Sequence, residues 1–241
     1  MTPRPKPAPI PISERPMQRL HARLLAFALA AAALPVLAGC SLLERNYQPT
    51  ASYLIAPPPQ PPIEGERFGS MTVSRFGAIP PFDGRPFLYH ATDGTWRADA
   101  YAGFIATPSD MVSEALSRAL EQSGRATIVG SDGVAMRFDF SIDGVVEAFY
   151  ADFTDPAAPK AVVRLRGYLL DRRKGAPKLA AQLRGSGTAP IAAAEPGRVA
   201  EALSAATGVA IQRLLAELPR NVPEEAATAL GEPKAAADGV Q

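Results

Sequence analysis

Ala161-Val-Val-Arg-Leu-Arg-Gly-Tyr-Leu-Leu170 and Leu179-Ala-Ala-Gln-Leu-Arg-Gly-Ser-Gly187 decide how this chain of 241 residues folds. Between them, Asp171-Arg-Arg-Lys-Gly175 has the composition of a hairpin turn, so the second run returns antiparallel to the first. Upstream, Met136, Phe138, Phe140 and Ile142 share one face of a strand, while Arg137, Asp139, Ser141 and Asp143 share the other. Val145-Val-Glu-Ala-Phe-Tyr150 continues that strand past an expected bulge at Gly144. A period of two from Met136 to Thr188 thus predicts a three-stranded antiparallel meander with one apolar and one polar, solvated face.

On either side of the meander the period changes to that of a helix. Thr107-Pro108-Ser109-Asp110 reads as a helix start, with Thr107 as N-cap, proline at the first helical position and an acid three residues after the cap. Val112, Ala115, Leu116, Ala119 and Leu120 then form one apolar stripe, and Gly124 supplies the C-cap. Downstream, Val199, Leu203, Ala206, Ala210 and Leu214 recur at helical spacing from about Pro196 until Pro219 stops them. The small face of this second helix (Ala202, Ala205, Ala206, Ala210) allows close approach to a sheet.

Shorter strands precede the first helix. They are expected at Ala51–Ile55, at Ser70–Phe76 (Met71, Val73 and Arg75 facing one way) and at Pro86–His90, with a turn at Asp93-Gly94. Ala126–Gly130 reads as a short buried strand. Ala56-Pro-Pro-Pro-Gln-Pro-Pro62 favours an extended polyproline conformation and reads as a spacer. The fold class that follows is α/β: a mixed, partly antiparallel sheet flanked by two main helices in a single compact domain.

The amino-terminal end carries a different message. Arg19, His21 and Arg23 precede an apolar run, Leu24 to Leu37, that ends in Leu37-Ala38-Gly39-Cys40. Charged entry, short apolar middle and small-residue exit describe a secretory signal. The run is shorter than the roughly 20 residues a membrane-spanning helix needs. A cysteine directly after Leu-Ala-Gly, and the only cysteine of the chain, reads as the acceptor of a diacylglycerol. Residues 1–39 are then a lipoprotein signal peptide, read from Met1 or from Met17. Residues 40–69 form a lipid-anchored linker with the first strand and the Pro-rich spacer. Residues 70–218 form the α/β domain, and residues 219–241 a disordered tail. Removing Arg4, Lys6, Arg15, Arg19, Arg23 and Glu14 from the totals of 25 basic and 24 acidic residues leaves 20 and 23, a net charge of −3. An acidic mature chain argues against nucleic acid as a partner.

Catalytic inventory is thin. His90 is the only histidine after the signal, and no thiol remains once Cys40 is acylated. The sequence contains no Gly-x-Ser-x-Gly elbow and no phosphate-binding glycine loop. The expectation is a protein that is not an enzyme and uses no cofactor or metal, Asp139 and Asp143 being the residual carboxylates for any hydrolytic role. Phe87, Tyr89, Trp96, Tyr101 and Phe104 cluster before the first helix. Either they fill the sheet–helix core, or Trp96, Tyr101 and Phe104 line a surface for a partner or an acyl chain.

The lipobox at Cys40, Tyr53-Leu54, Val73 with Phe76, Tyr89, Trp96 and the Leu-striped helix ending in glycine occur in an order that resembles the ABC-type transport auxiliary lipoproteins, the family that includes the PqiC lipoproteins. The similarity runs from about Tyr53 to Leu215. It implies an outer-membrane lipoprotein on the periplasmic face, modified with diacylglycerol and palmitate at Cys40. Its implied partners are a periplasmic MCE-domain protein and an ABC permease/ATPase complex that move lipids or other hydrophobic molecules, and self-association is compatible with the resemblance. Ser41, not aspartate, follows the cysteine, which favours outer-membrane sorting. The alternative is a stand-alone lipid- or glycan-binding envelope lipoprotein.

Overall fold

The computed structural model describes residues 49–131 and 136–224. The signal peptide, Cys40 and the tail from 225 onward lie outside the described residues. In chain order the elements are β1 (Ala51–Tyr53), β2 (Phe68–Val73), β3 (Gly77–Ala78), β4 (Pro86–His90), β5 (Trp96–Phe104), α1 (Pro108–Ser123), β6 (Ala126–Ser131), β7 (Phe140–Asp152), β8 (Lys160–Asp171), β9 (Lys178–Pro190) and α2 (Pro196–Ala216). The fold class is the one read from the sequence: a mixed α/β domain that has, among the described residues, a nine-stranded sheet and two helices.

The meander is its spine. β7, β8 and β9 pair antiparallel over their whole lengths. Along its other edge β7 takes three parallel partners in succession: β2 at Phe140–Ile142, β3 at Val145–Val146 and β4 at Ala151–Asp152. Two wings extend from there, β2–β6 at one end and β4–β5–β1 at the other.

Both helices form where their signals stand. Thr107 is the N-cap of α1, its hydroxyl accepting from the Asp110 amide at 3.3 Å, and Gly124 closes the helix at φ 71°. Val112, Leu116 and Leu120 are fully buried. α2 lies along β8 and β9 with Val199, Leu203, Ala206, Ala210 and Leu214 buried. It is long and apolar enough to cross a membrane, but its buried stripe makes it the core helix of this domain. Close approach depends on Gly185 and Gly187, whose missing side chains would collide with the Ala210 and Ala206 carbonyls.

Several expectations need correction. β2 spans Phe68–Val73 and does not alternate: Met71, Thr72 and Val73 are all buried, because β2 is a central strand between β6 and β7. Arg75 lies beyond it, exposed and paired with Asp110 at 2.7 Å. β6 is an edge strand rather than a buried one, and Ile128 is 50% exposed. The bulge of β7 falls between Val146 and Ala148, while Gly144 stays in register with Gly167. Met136 is exposed and precedes the strand.

The Pro-rich segment is no free spacer: it is strapped to the helices. The Ala56 amide donates to Ser204 Oγ, the Gln60 amide to Gln122 Oε1 and the Ile63 amide to the Ser123 carbonyl. Arg125, 1% exposed, fastens the strap's end, donating to the carbonyls of Glu64 and Glu66 at 3.0 and 3.1 Å and to that of Pro219. Residues 219–224 are held likewise: the Glu66 amide donates to the Arg220 carbonyl, and the Val222 amide to Glu66 Oε2.

Candidate functional site

The helices pack on one face of the β7–β9 spine, the face to which Gly167, Gly185 and Gly187 point. Alternation then turns Asp143, Glu147, Tyr150, Arg164, Arg166, Tyr168, Gln182, Arg184 and Ser186 toward the opposite, uncovered face. That face carries an aromatic corner and an arginine groove.

The aromatic corner joins β4, β5 and β7. The Trp96 indole stacks on the His90 ring at 4.6 Å and 9°, and meets Tyr150 edge-on at 4.8 Å. Phe82, from the loop before β4, closes its third side at 6.0 Å. Trp96 nonetheless remains 47% exposed, so its back is packed and its front is free. Tyr101, 53% exposed, is separate from this cluster. It stands where β5 slips register against β4, with Asp99 Oδ1 accepting the amides of Tyr101 and Ala102. Phe104 lies on the other side of the sheet, 4% exposed, against Phe87 at 4.6 Å and Phe149 at 5.4 Å. The two readings of the aromatic run thus divide: Phe104 and Phe87 fill the core, Trp96 and Tyr101 reach the surface.

His90 Nδ1 lies 3.8 Å from Asp152 Oδ1. Burial would raise the Asp152 carboxyl, but the Thr154 hydroxyl and amide, aided by the nearby Lys160 and His90, outweigh it and hold the group below the usual carboxylate range. Burial, then the Asp152 charge, pushes the Tyr150 phenol up. Asp139 and Asp143 are not a solvated pair. Asp139 accepts from the amide and hydroxyl of Ser70 at 3.0 and 2.9 Å, and Asp143 from the Ser74 hydroxyl at 2.7 Å. Asp139 ties the entry to β7 onto β2, and Asp143 ties β7 to the turn after β2. Among the described residues no three His, Cys, Asp or Glu side chains form a metal-binding group.

The arginine groove was not anticipated. It has a volume of about 440 Å³ beside the outer strand β9, and is lined by Arg164, Arg184 and Ser186 together with Arg213 and Glu217 from the end of α2. Glu147, also on its wall, is taken by Arg166. Arg164, Arg166 and Arg184 were visible as polar positions of the meander. Their convergence with Arg213, which comes from a helix on the opposite face, needed the pairing of β8 with β9.

No family model matches the sequence, and no curated protein does. Among solved structures the chain is similar to a Xanthomonas campestris protein assigned to DUF330, with a TM-score of 0.60 and 20% identity over 69% of this chain and 93% of that one. Weaker likenesses are to the PelC dodecamer of Paraburkholderia phytofirmans, TM-score 0.40 and 15% identity over 68% and 96% of the chains, and to a Neisseria meningitidis lipoprotein, TM-score 0.33 and 14% identity over 56% and 93%. At 20% identity the first likeness shows the fold: a mixed α/β domain built as in the DUF330 protein.

Proposed function

We propose that this chain is a non-enzymatic, lipid-anchored component of the bacterial envelope. It is acylated at Cys40, sits on the periplasmic face of the outer membrane, and serves an MCE-type ABC transport system that moves lipids or other hydrophobic molecules. The observation that carries this reading is the lipobox Leu37-Ala38-Gly39-Cys40 ahead of an ordered set of residues that resembles the auxiliary lipoproteins. The DUF330-like fold supports it. So does the use of Asp139 and Asp143 as structural acceptors, which leaves neither free for hydrolysis.

The test combines labelling and partnership. Cells grown with a palmitate analogue should label the wild-type chain and not Cys40→Ala, and the labelled chain should sediment with outer membranes. Affinity purification should recover an MCE-domain protein with its permease and ATPase. An unlabelled wild-type chain, or a labelled one without those partners, removes the anchor or the transport role respectively. The half-exposed Trp96 stacked on His90 favours the second reading, a stand-alone lipid- or glycan-binding module. A lipid or sugar retained in native mass spectrometry without any co-purifying transporter selects it.

A further inference from the structure

Strand β9 is the outer strand of the spine, and among the described residues it pairs only with β8. It is 13 residues long, and such an edge presents a row of unpaired main-chain donors and acceptors. Arg213 shows where that row lies. It springs from α2, on the helix-covered face, yet its Nη1 reaches the Ser186 carbonyl at 2.8 Å and the Ser186 hydroxyl, on the uncovered face, at 3.4 Å. A side chain touching both must pass around the free edge. The Ser186 carbonyl therefore points outward, and the alternation of an antiparallel ladder turns the main-chain groups of Arg184 and Thr188 the same way.

Charge sets what this edge accepts. Arg164 and Arg184 have no carboxylate or hydrogen-bond partner among the described residues; Arg164 acts only at a distance, on the Tyr150 phenol. Of the carboxylates nearby, Glu147 is neutralised by Arg166, which leaves Glu217 against three guanidinium groups. This surplus of positive charge lies on a mature chain whose net charge is −3. A second copy of this chain meeting it edge to edge about a two-fold axis is disfavoured. Two β9 strands meeting about a two-fold axis would set Arg184 and Arg213 against the same residues of the other copy.

We infer that the free edge of β9 is a docking site for an extended, acidic segment of a partner protein, which adds to the sheet as a further strand. Main-chain hydrogen bonds with Arg184, Thr188 and the Ser186 amide hold the strand, the Ser186 carbonyl being already bonded by Arg213, and its alternate carboxylates meet Arg164 and Arg184 on the uncovered face. Without such a partner the same arginines guard the edge, since a neutral or basic strand leaves them unpaired. The inference goes beyond the transport role and does not depend on the anchor.

The test uses the full chain in detergent and a dye-labelled nine-residue peptide of alternating Glu with Thr or Val, read by fluorescence anisotropy. Binding should saturate and weaken about tenfold or more in the Arg164→Glu/Arg184→Glu variant, a loss typical of reversed interfacial charge. Replacing the peptide's Glu by Lys should abolish binding. N-methylating the peptide's main-chain amides, which keeps the charge but removes every main-chain donor, should abolish it too. Arg184→Ser, a milder change, should give an intermediate loss, and an unchanged thermal midpoint shows that each variant is folded. No binding of the Glu peptide overturns the inference. So does equal binding of the N-methylated peptide, which reduces the edge to a charged surface. Arginine-dependent binding to phosphatidylglycerol vesicles without binding to the peptide also overturns it, in favour of a lipid headgroup.

Discussion

Two regions of this sheet are built from similar strand-forming residues and end up unlike. In the spine, β8 and β9 stay in register over a dozen residues with a single slip, and Val163, Leu165, Leu169 and Leu183 are buried beneath α2. In the wing, β5 is buried only at Ala102–Phe104, and from Trp96 to Tyr101 every residue but Asp99 is exposed. Its register against β4 slips where Asp99 pulls in the amides of Tyr101 and Ala102. The helices account for the difference, since α2 runs along β8 and β9 while α1 lies against β6, β7 and β2. Covered strands are specified by packing, which permits one arrangement. An uncovered strand is specified by its turn and its neighbours, and keeps large apolar side chains at the surface.

The sharpest way to break this comparison is to fill the space between helix and spine. At Gly187 any Cβ would meet the Ala206 carbonyl, with the Ala210 amide nitrogen only 2.7 Å away. Gly187→Val must therefore lift α2 from β9, and should cost about 3 kcal/mol or more, the upper range for overpacking a core. A urea titration reads it directly. A loss under about 1 kcal/mol means that α2 is not seated as described.

The spine and both helices were legible in the sequence because each depends on local signals. Period-two alternation gave the meander, Thr107, Pro108 and Gly124 bounded α1, and the stripe from Val199 to Leu214 marked α2. The wings were not legible in the same way. That β2, β3 and β4 line up along one edge of β7 depends on parallel pairings across more than fifty residues, and nothing local records those. The same holds for the strap: prolines predict an extended chain but not the helices it lies on. At the candidate surface the aromatic run was visible, yet its division was not. The slip in β5 and the parity of β4 send Phe87 and Phe104 to the core while Trp96 reaches the open face. The arginine groove went unseen because Arg213 approaches from another element and around an edge.

The wing should tolerate what the spine does not. Trp96→Ala removes stacking on His90 and edge contacts with Tyr150 and Phe82, but the indole is already 47% exposed. Losing half-buried aromatic contacts should cost about 1 kcal/mol, well below the 3–5 of a fully buried tryptophan. The full chain should remain folded by circular dichroism. A collapse equal to that of Gly187→Val would make the corner part of the core and end its candidacy as a binding surface.

The smallest effect compares two turns made with the same device. At the tip of the wing Asp93 accepts from the amide and hydroxyl of Thr95 and from Arg97; at the tip of the spine Asp171 accepts from the amide and guanidinium of Arg173. The Thr95 hydroxyl and amide, then Arg97, hold the exposed Asp93 carboxyl down to about 2. Asp171, 8% exposed, is also held low, chiefly by the Arg173 guanidinium against the opposing pull of burial. Both folded values lie below the ordinary carboxylate value near 3.9. Each group therefore contributes stability that is full above that value and lost as pH falls through the folded one. The two turns should not lose equally, because water and salt screen Asp93 whereas Asp171 would be left protonated beside a partly covered arginine. Between pH 5 and pH 2 the denaturation midpoint should fall less steeply in Asp171→Asn than in the wild type, the variant having lost that contribution already. Asp93→Asn should follow the wild-type slope closely. Identical slopes for the two variants would mean that residues 219–224, whose Pro223 carbonyl accepts from Arg173, do not shield the spine's turn, and the contrast between the regions would then stop short of their tips.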